Sequence, residues 1–150
     1  MSMSPIFLLI DDDTDDTFLF NEVLQQVNPA VTFRSAANGQ EALDTLKSTA
    51  ALPDVIFLDL NMPRMDGRQC LSALKQDHRL KHIPVIIYTT SSHPLDIAQT
   101  LQNGAACFIT KPTDTRALIN ILAAIAANVH SNLEDTLHTL RDDVTTFVTG

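Results

Sequence analysis

The sequence predicts an α/β fold, a doubly wound five-stranded parallel sheet, and two features predict it. Five short β-type runs alternate along the chain with amphipathic stretches. Four of those runs are continuously apolar, the pattern of strands covered on both faces rather than of strands with one wet side.

The elements follow in order. Ile6–Ile10 is a first buried strand that stops at the acidic stretch "DDDTDD". Thr14–Val27 carries Phe18, Val23, Leu24 and Val27 at helical spacing, and Asn28-Pro29 stops it. Val31–Ser35 is a second, more alternating strand, and a helix follows after Gly39 with Ala42, Leu43 and Leu46 on one face. "DVIFLDL" is a third strand that ends at Asp59, "MPRMDG" is loop, and Gln69–Gln76 is helical with Cys70, Leu71 and Leu74 inward. Pro84 opens a fourth strand, "PVIIYTT"; a helix over Pro94–Gln102 then ends at the C-cap pair Asn103-Gly104. "ACFIT" is the fifth strand, broken by Lys111-Pro112, and Thr113–Ala127 is a helix facing inward with Leu118, Ile121, Leu122 and Ile125. The domain therefore spans residues 1–128. Residues 129–150 form a C-terminal helical extension with Leu133, Leu137, Leu140 and Val144 as an apolar stripe, and its end, "TTFVTG", is expected to fray.

Composition narrows the function. The 150 residues suit one domain with a real core. A net charge of −8 argues against binding nucleic acid or an anionic membrane surface. No signal peptide opens the chain and no run is long enough to span a membrane, so a cytoplasmic location is expected. Cys70 and Cys107 lack metal-type spacing and read as reduced core thiols. The five histidines do not cluster and read as surface residues, and Met62 and Met65 as packing residues of a loop.

Chemistry gathers at the carboxyl ends of the strands, where open α/β sheets place their sites. Asp11 and Asp12 follow the first strand, Asp59 ends the third, Thr89 the fourth and Lys111 the fifth. Any one Asp there could be a helix N-cap, and Asp13, Thr14, Asp15 and Asp16 read as a cap and solvated first turn. Caps do not explain a lysine and a threonine on neighbouring strands. Carboxylates about 4–6 Å apart repel by about 1–4 kcal/mol per pair, a cost that a divalent cation removes. Hard oxygen ligands describe Mg²⁺. A carboxylate so held can be a nucleophile towards phosphorus, with a lysine and the ion balancing the phosphoryl charge.

The motifs "FLLIDDD", "VIFLDLNMPRMDG", "PVIIYTTS" and "GAACFITKP" resemble, in this order, the response-regulator receiver domain of bacterial two-component signalling, over about residues 6–127. "DDDTDD", "NGQEALD", "LDLNMPRMDGR" and "IPVIIYTTSS" further resemble the stand-alone regulators paired with bacterial phytochromes and similar sensor kinases. The resemblance implies a flavodoxin-like sheet of order 2-1-3-4-5. It implies Asp59 as phosphoacceptor, Asp12 as direct ligand of Mg²⁺ and Asp11 as a ligand through water. Asn61 would complete the metal site with its backbone carbonyl, Thr89 would move onto the phosphoryl group, and Lys111 would pair with it. It also implies a cis Lys111–Pro112 bond. The family's switch aromatic is Phe108 here, without the hydroxyl of the frequent tyrosine. Tyr88 stands where an aliphatic residue is usual and is expected to be half-exposed; Thr90 replaces a smaller residue.

The expected function is that of a phosphorylation-switched module. It accepts a phosphoryl group from a sensor histidine kinase such as a bacterial phytochrome and signals through protein contacts. It is not an enzyme beyond its own phosphorylation and dephosphorylation. The alternative, a Mg²⁺-dependent aspartyl phosphatase of haloacid-dehalogenase type, would want a second acid where Asn61 stands. A homodimer is expected, with the tail stripe covered by the second subunit.

Overall fold

The computed structural model describes residues 4–140 and the backbone of residues 146–148. The elements run β1 (Ile6–Ile10), α1 (Thr14–Val27), β2 (Thr32–Ala36), α2 (Gly39–Ser48), β3 (Val55–Leu58) and α3 (Gly67–Gln76). They continue with β4 (Val85–Thr89), α4 (Pro94–Gln102), β5 (Cys107–Thr110), α5 (Thr115–Asn128), α6 (Leu133–Leu140) and β6 (Thr146–Val148). Strands β1 to β5 pair in parallel in the order 2-1-3-4-5, as expected, and β6 adds an antiparallel strand on the outer edge of β5.

The continuous apolar runs acquire their reason from the two faces. Phe7, Leu9, Val55, Phe57, Ile86, Tyr88, Cys107 and Ile109 face one core with α1, α5 and α6. Their strand neighbours Leu8, Ile10, Ile56, Leu58, Val85, Ile87 and Phe108 face the other, with residues of α2 and α3. A period-2 strand between two helical layers has no wet side, so every position is apolar. Tyr88 obeys the same rule and corrects the half-exposed expectation. It is only 5% exposed and meets Phe20 and Phe57 edge-on, with ring centroids 5.6 and 6.3 Å away.

Helix starts are capped from the sequence. Asp13 accepts hydrogen bonds from the backbone N–H groups of Asp15 and Asp16, and Asn38 accepts one from Glu41. Asp66 and Gln69 form a reciprocal capping box, which starts α3 two residues earlier than the apolar pattern does. That start brings Gly67 against β3. Its N–H donates to the Leu60 carbonyl at 2.9 Å, and a Cβ at Gly67 would lie 2.6 Å from the Leu60 Cα and closer still to the Asp59 carbonyl oxygen. Only glycine allows this approach.

The tail differs most from expectation. Leu137 and Leu140 are buried in the core that α1 and α5 share, and Leu133 packs against it. The stripe is covered by its own domain, so the reason for expecting a second subunit over it is gone; Val144 lies outside the described residues. Instead of fraying, Thr146–Val148 pairs with β5, Cys107 opposite Val148 and Ile109 opposite Thr146. An edge strand presents unpaired backbone groups, and a β-branched tail is well suited to satisfy them.

Two outcomes follow. Leu137→Ala should destabilise the protein by about 2–5 kcal/mol, the range for truncating a buried leucine, read as a lower midpoint in urea with monomer and dimer populations unchanged. Gly67→Ala should lower stability by about 1–3 kcal/mol through overpacking and shift the amide resonances of Asp59 and Leu60. Unchanged resonances there would mean that the helix does not press on the strand end.

Candidate functional site

Backbone bonding continues past the strand ends and aims the polar residues at one point. The Asp11 N–H donates to the Ala36 carbonyl at 3.0 Å, and the Asp59 N–H to the Ile10 carbonyl at 3.0 Å. The Lys111 N–H donates to the Thr89 carbonyl at 2.7 Å. Each residue that follows a β-strand is thus locked to its neighbour strand while its side chain leaves the sheet.

Asp11, Asp12 and Asp59 each offer a carboxylate oxygen within 4.8 Å of the others. Asp11 and Asp59 are buried and Asp12 is exposed. The Asp13 N–H donates to Asp11 Oδ1 at 2.9 Å, and the Asn61 N–H approaches Asp59 Oδ1 at 3.4 Å. The structure therefore gathers all the predicted acids, with Asn61 exposed beside Asp59. A pure oxygen donor set of this kind suits a hard divalent cation.

Lys111 enters from β5. Its Nζ lies 2.8 Å from Asp11 Oδ2, 3.6 Å from Asp59 Oδ2 and 2.7 Å from Asp16 Oδ2. Asp16 was read as a solvated first-turn acid, and that is corrected: α1 turns it inward onto the lysine. Its place at helical position three was legible, but the ion pair spans 95 residues of sequence and has no local signal. Nζ also sits 5.7 Å from the centre of the Tyr88 ring, a cation–π distance. Burial pushes the Asp11 carboxyl up to about 6, outweighing the lowering by Lys111 and by the Asp13 N–H. Burial works to lower the Lys111 ammonium, yet its bonds to Asp11 and Asp16 win and raise it, so it stays charged.

Thr89 is fully buried, and its Oγ1 has no hydrogen-bond partner among the described residues. A buried unpaired hydroxyl costs roughly 1–3 kcal/mol, so an unpaired one marks a place where a partner is missing. Phe108, on the adjacent strand, is fully buried. The Lys111–Pro112 bond is trans, since no cis bond occurs among the described residues; trans is the form that X–Pro bonds favour by about 0.5–1 kcal/mol.

A second polar cluster supports the loop after Thr89. Arg68 of α3 pairs with Asp96 of α4, whose Oδ2 accepts from Ser91 Oγ at 2.7 Å. The Ser91 carbonyl accepts from Thr110 Oγ1 at 3.1 Å. Sequence patterning had no way to pair these four residues from separate elements. Other candidates stay structural. Burial pushes both Cys70 and Cys107 up to about 12, too high for a reactive thiol. The histidines lie at or near the surface, where His130 Nε2 meets Asp54 at 3.0 Å.

Comparison with known proteins agrees with this geometry. The response regulator receiver domain model matches residues 7–123. Response regulator Rcp1 of Synechocystis sp. is 30% identical over 125 residues, 80% of this chain and 85% of that protein. The structure of the phosphorylated cyanobacterial phytochrome response regulator RcpA superposes with a TM-score of 0.75 at 32% identity, covering 81% of this chain and 90% of that one. The Mn²⁺-bound form of Rcp1 gives a TM-score of 0.73 at 30% identity, covering 82% and 92%. The sensor histidine kinase CheAY of Helicobacter pylori is 31% identical over 117 residues, of which this chain spans 14% of the length. With the sheet order, the acidic cluster and the strand-end lysine and threonine in place, the chain belongs to the response regulator receiver domain family.

Proposed function

We propose that this chain is a phosphorylation-switched signalling module of a two-component system, with Asp59 as its phosphoacceptor. The observation that carries the reading is the convergence on Asp59 of two further carboxylates and a charged lysine, with a buried threonine hydroxyl that has no partner among the described residues at the end of the neighbouring strand. Receiver domains are signalling modules rather than classical enzymes, and this one would catalyse at most its own phosphorylation and dephosphorylation.

In the transfer, an Asp59 carboxylate oxygen attacks phosphorus. The P–O bond of an acyl phosphate forms as the P–N bond to the histidine of a sensor kinase breaks, and the histidine keeps the electron pair. Lys111 supplies positive charge for the phosphoryl oxygens. Thr89 Oγ1, which has no partner among the described residues, donates a hydrogen bond to the phosphoryl group. Phe108, buried on the next strand, transmits that movement by packing, since it has no hydroxyl of its own. The carboxylates of Asp11, Asp12 and Asp59 and the backbone carbonyl of Asn61 would hold Mg²⁺, in keeping with the Mn²⁺ bound by the similar Rcp1. When bound, the ion neutralises charge on the phosphoryl oxygens. The kinase belongs with the bacterial phytochromes and similar sensors, given the likeness to RcpA.

The reading takes residues 1–128 as the receiver and residues 129–150 as its C-terminal extension, of which α6 packs on the same core. It places the protein in the cytoplasm; no helix among the described residues is long and apolar enough to cross a membrane. Signalling runs through protein contact, including a homodimer on the α4–α5 side, where Leu95 is 62% exposed. The aspartyl-phosphatase alternative is not favoured: the family match is to receivers, and Asn61 cannot serve as the second acid.

Acetyl phosphate with Mg²⁺ should add one phosphoryl mass to the protein, with a shift towards dimer on size exclusion. Asp59→Asn, nearly isosteric but not nucleophilic, should gain nothing and keep its fold; an equal mass gain in the variant would refute the assignment. Mg²⁺ alone should raise the thermal midpoint, by linkage worth about 1.4 kcal/mol at ten times its Kd. Asp12→Ala should remove most of that shift, while being the more stable protein in EDTA because one repelling charge is gone. An equal metal-induced shift in both proteins would exclude Asp12 as a ligand.

A further inference from the structure

Two acids occupy the first turn of α1, where negative charge favours the helix dipole. Asp15 is exposed and forms no ion pair among the described residues. Asp16 takes part in the shortest of the three contacts at the Lys111 ammonium, 2.7 Å against 2.8 Å for Asp11 and 3.6 Å for Asp59. Two of the three ammonium protons are thereby committed away from the phosphoacceptor. The buried Tyr88 ring, held edge-on by Phe20 and Phe57, backs the same position.

The two close partners of Lys111 are not equivalent. The Asp11 side chain is fully buried, so losing the lysine would leave a buried charge uncompensated, a large cost. The Asp16 side chain is 37% exposed and can be rehydrated at little cost. When a stronger anion arrives at Asp59, Asp16 is therefore the partner that Lys111 can give up.

We propose that Asp16 is a positioning residue that holds Lys111 in a resting place on α1 and competes with the phosphoryl group on Asp59 for that ammonium. The proposal deepens the reading of Asp59 as phosphoacceptor and rests on it. Asp16 then sets how readily this receiver is charged and how long it stays so. A carboxylate on the first turn of α1 offsets part of the gain from pairing lysine with phosphoryl, and the phosphorylated state is correspondingly less favoured. The lysine also gains a route between two defined positions instead of swinging free in solvent.

The test compares the full chain with Asp16→Asn and with Asp15→Asn, which removes the same charge from the same turn without touching Lys111. In the unphosphorylated protein, exchange of the Lys111 ammonium protons, followed by NMR, should quicken in Asp16→Asn and not in Asp15→Asn. With saturating Mg²⁺, beryllofluoride should bind Asp16→Asn roughly threefold to fivefold more tightly than wild type, the scale of one partly exposed ion pair. The phosphoryl half-life after acetyl phosphate should lengthen in the same variant. Asp16→Glu, which restores the charge, should return both values towards wild type, and Asp15→Asn should stay within about twofold of it. Beryllofluoride affinities that match between Asp16→Asn and Asp15→Asn, or a weaker affinity in Asp16→Asn, would overturn the proposal. So would unchanged ammonium exchange, which is read without any phosphoryl group. A wild-type protein that takes neither phosphoryl nor beryllofluoride would instead refute the phosphoacceptor reading, and the competition with it.

Discussion

The ammonium of Lys111 is what allows two carboxylates to sit buried at the end of the sheet. Asp11 and Asp59 lie at the ends of adjacent strands and repel each other in surroundings that screen poorly. Without a cation, burial there would be paid by protonation, a tendency visible in the raised Asp11 pKa. Lys111 reaches them only because β5 is in register with β4, with Thr110 opposite Thr89. A slip of one residue would turn its side chain to the other face. The register of the sheet and the electrostatics of the site are therefore one constraint.

That register is secured from both faces. Aromatic rings of Phe7, Phe20, Phe57 and Tyr88 form a chain of contacts on the α1–α5 side, directly beneath the lysine. On the other face, Gly67 allows α3 to press against the strand end that carries Asp59. The loop after Thr89 is tied to α3 and α4 through Arg68, Asp96 and Ser91. Packing thus holds the acids and the lysine firmly, and Thr89, buried in β4 and paired with Thr110, is fixed by the same sheet; only the loop that follows it depends on polar contacts.

The tail changes which surfaces remain for partners. The leucines of α6 complete the core beside α5, and β6 covers the edge of β5. An open β5 edge would offer backbone groups to another chain, and here the protein's own backbone takes them. Large apolar side chains stay exposed elsewhere: Phe18 on α1, near the acidic cluster, and Leu95 on α4. On the proposed reading, contacts that follow phosphorylation have those helix faces to work with, rather than the sheet edge.

Local residue patterns were enough to determine the alternating elements, the parallel sheet and the positions of Asp11, Asp12, Asp59, Thr89 and Lys111. Continuous apolar runs specify two-sided burial, and strand ends in such a sheet face one edge. Caps at Asp13 and Asn38 were similarly local, since a cap bonds residues two or three positions away. Three features needed the tertiary structure. The run that holds Tyr88 implies burial on both faces, but not that Phe20 and Phe57 would meet its ring edge-on. Asp16 meets Lys111 because α1 packs beside β5's end, a pairing across 95 residues. The tail's stripe is amphipathic whether it covers its own domain or a second copy, and only the arrangement of α5 and the free β5 edge decides for its own domain. Periodicity states that a face must be buried; which surface buries it is a property of the assembled fold.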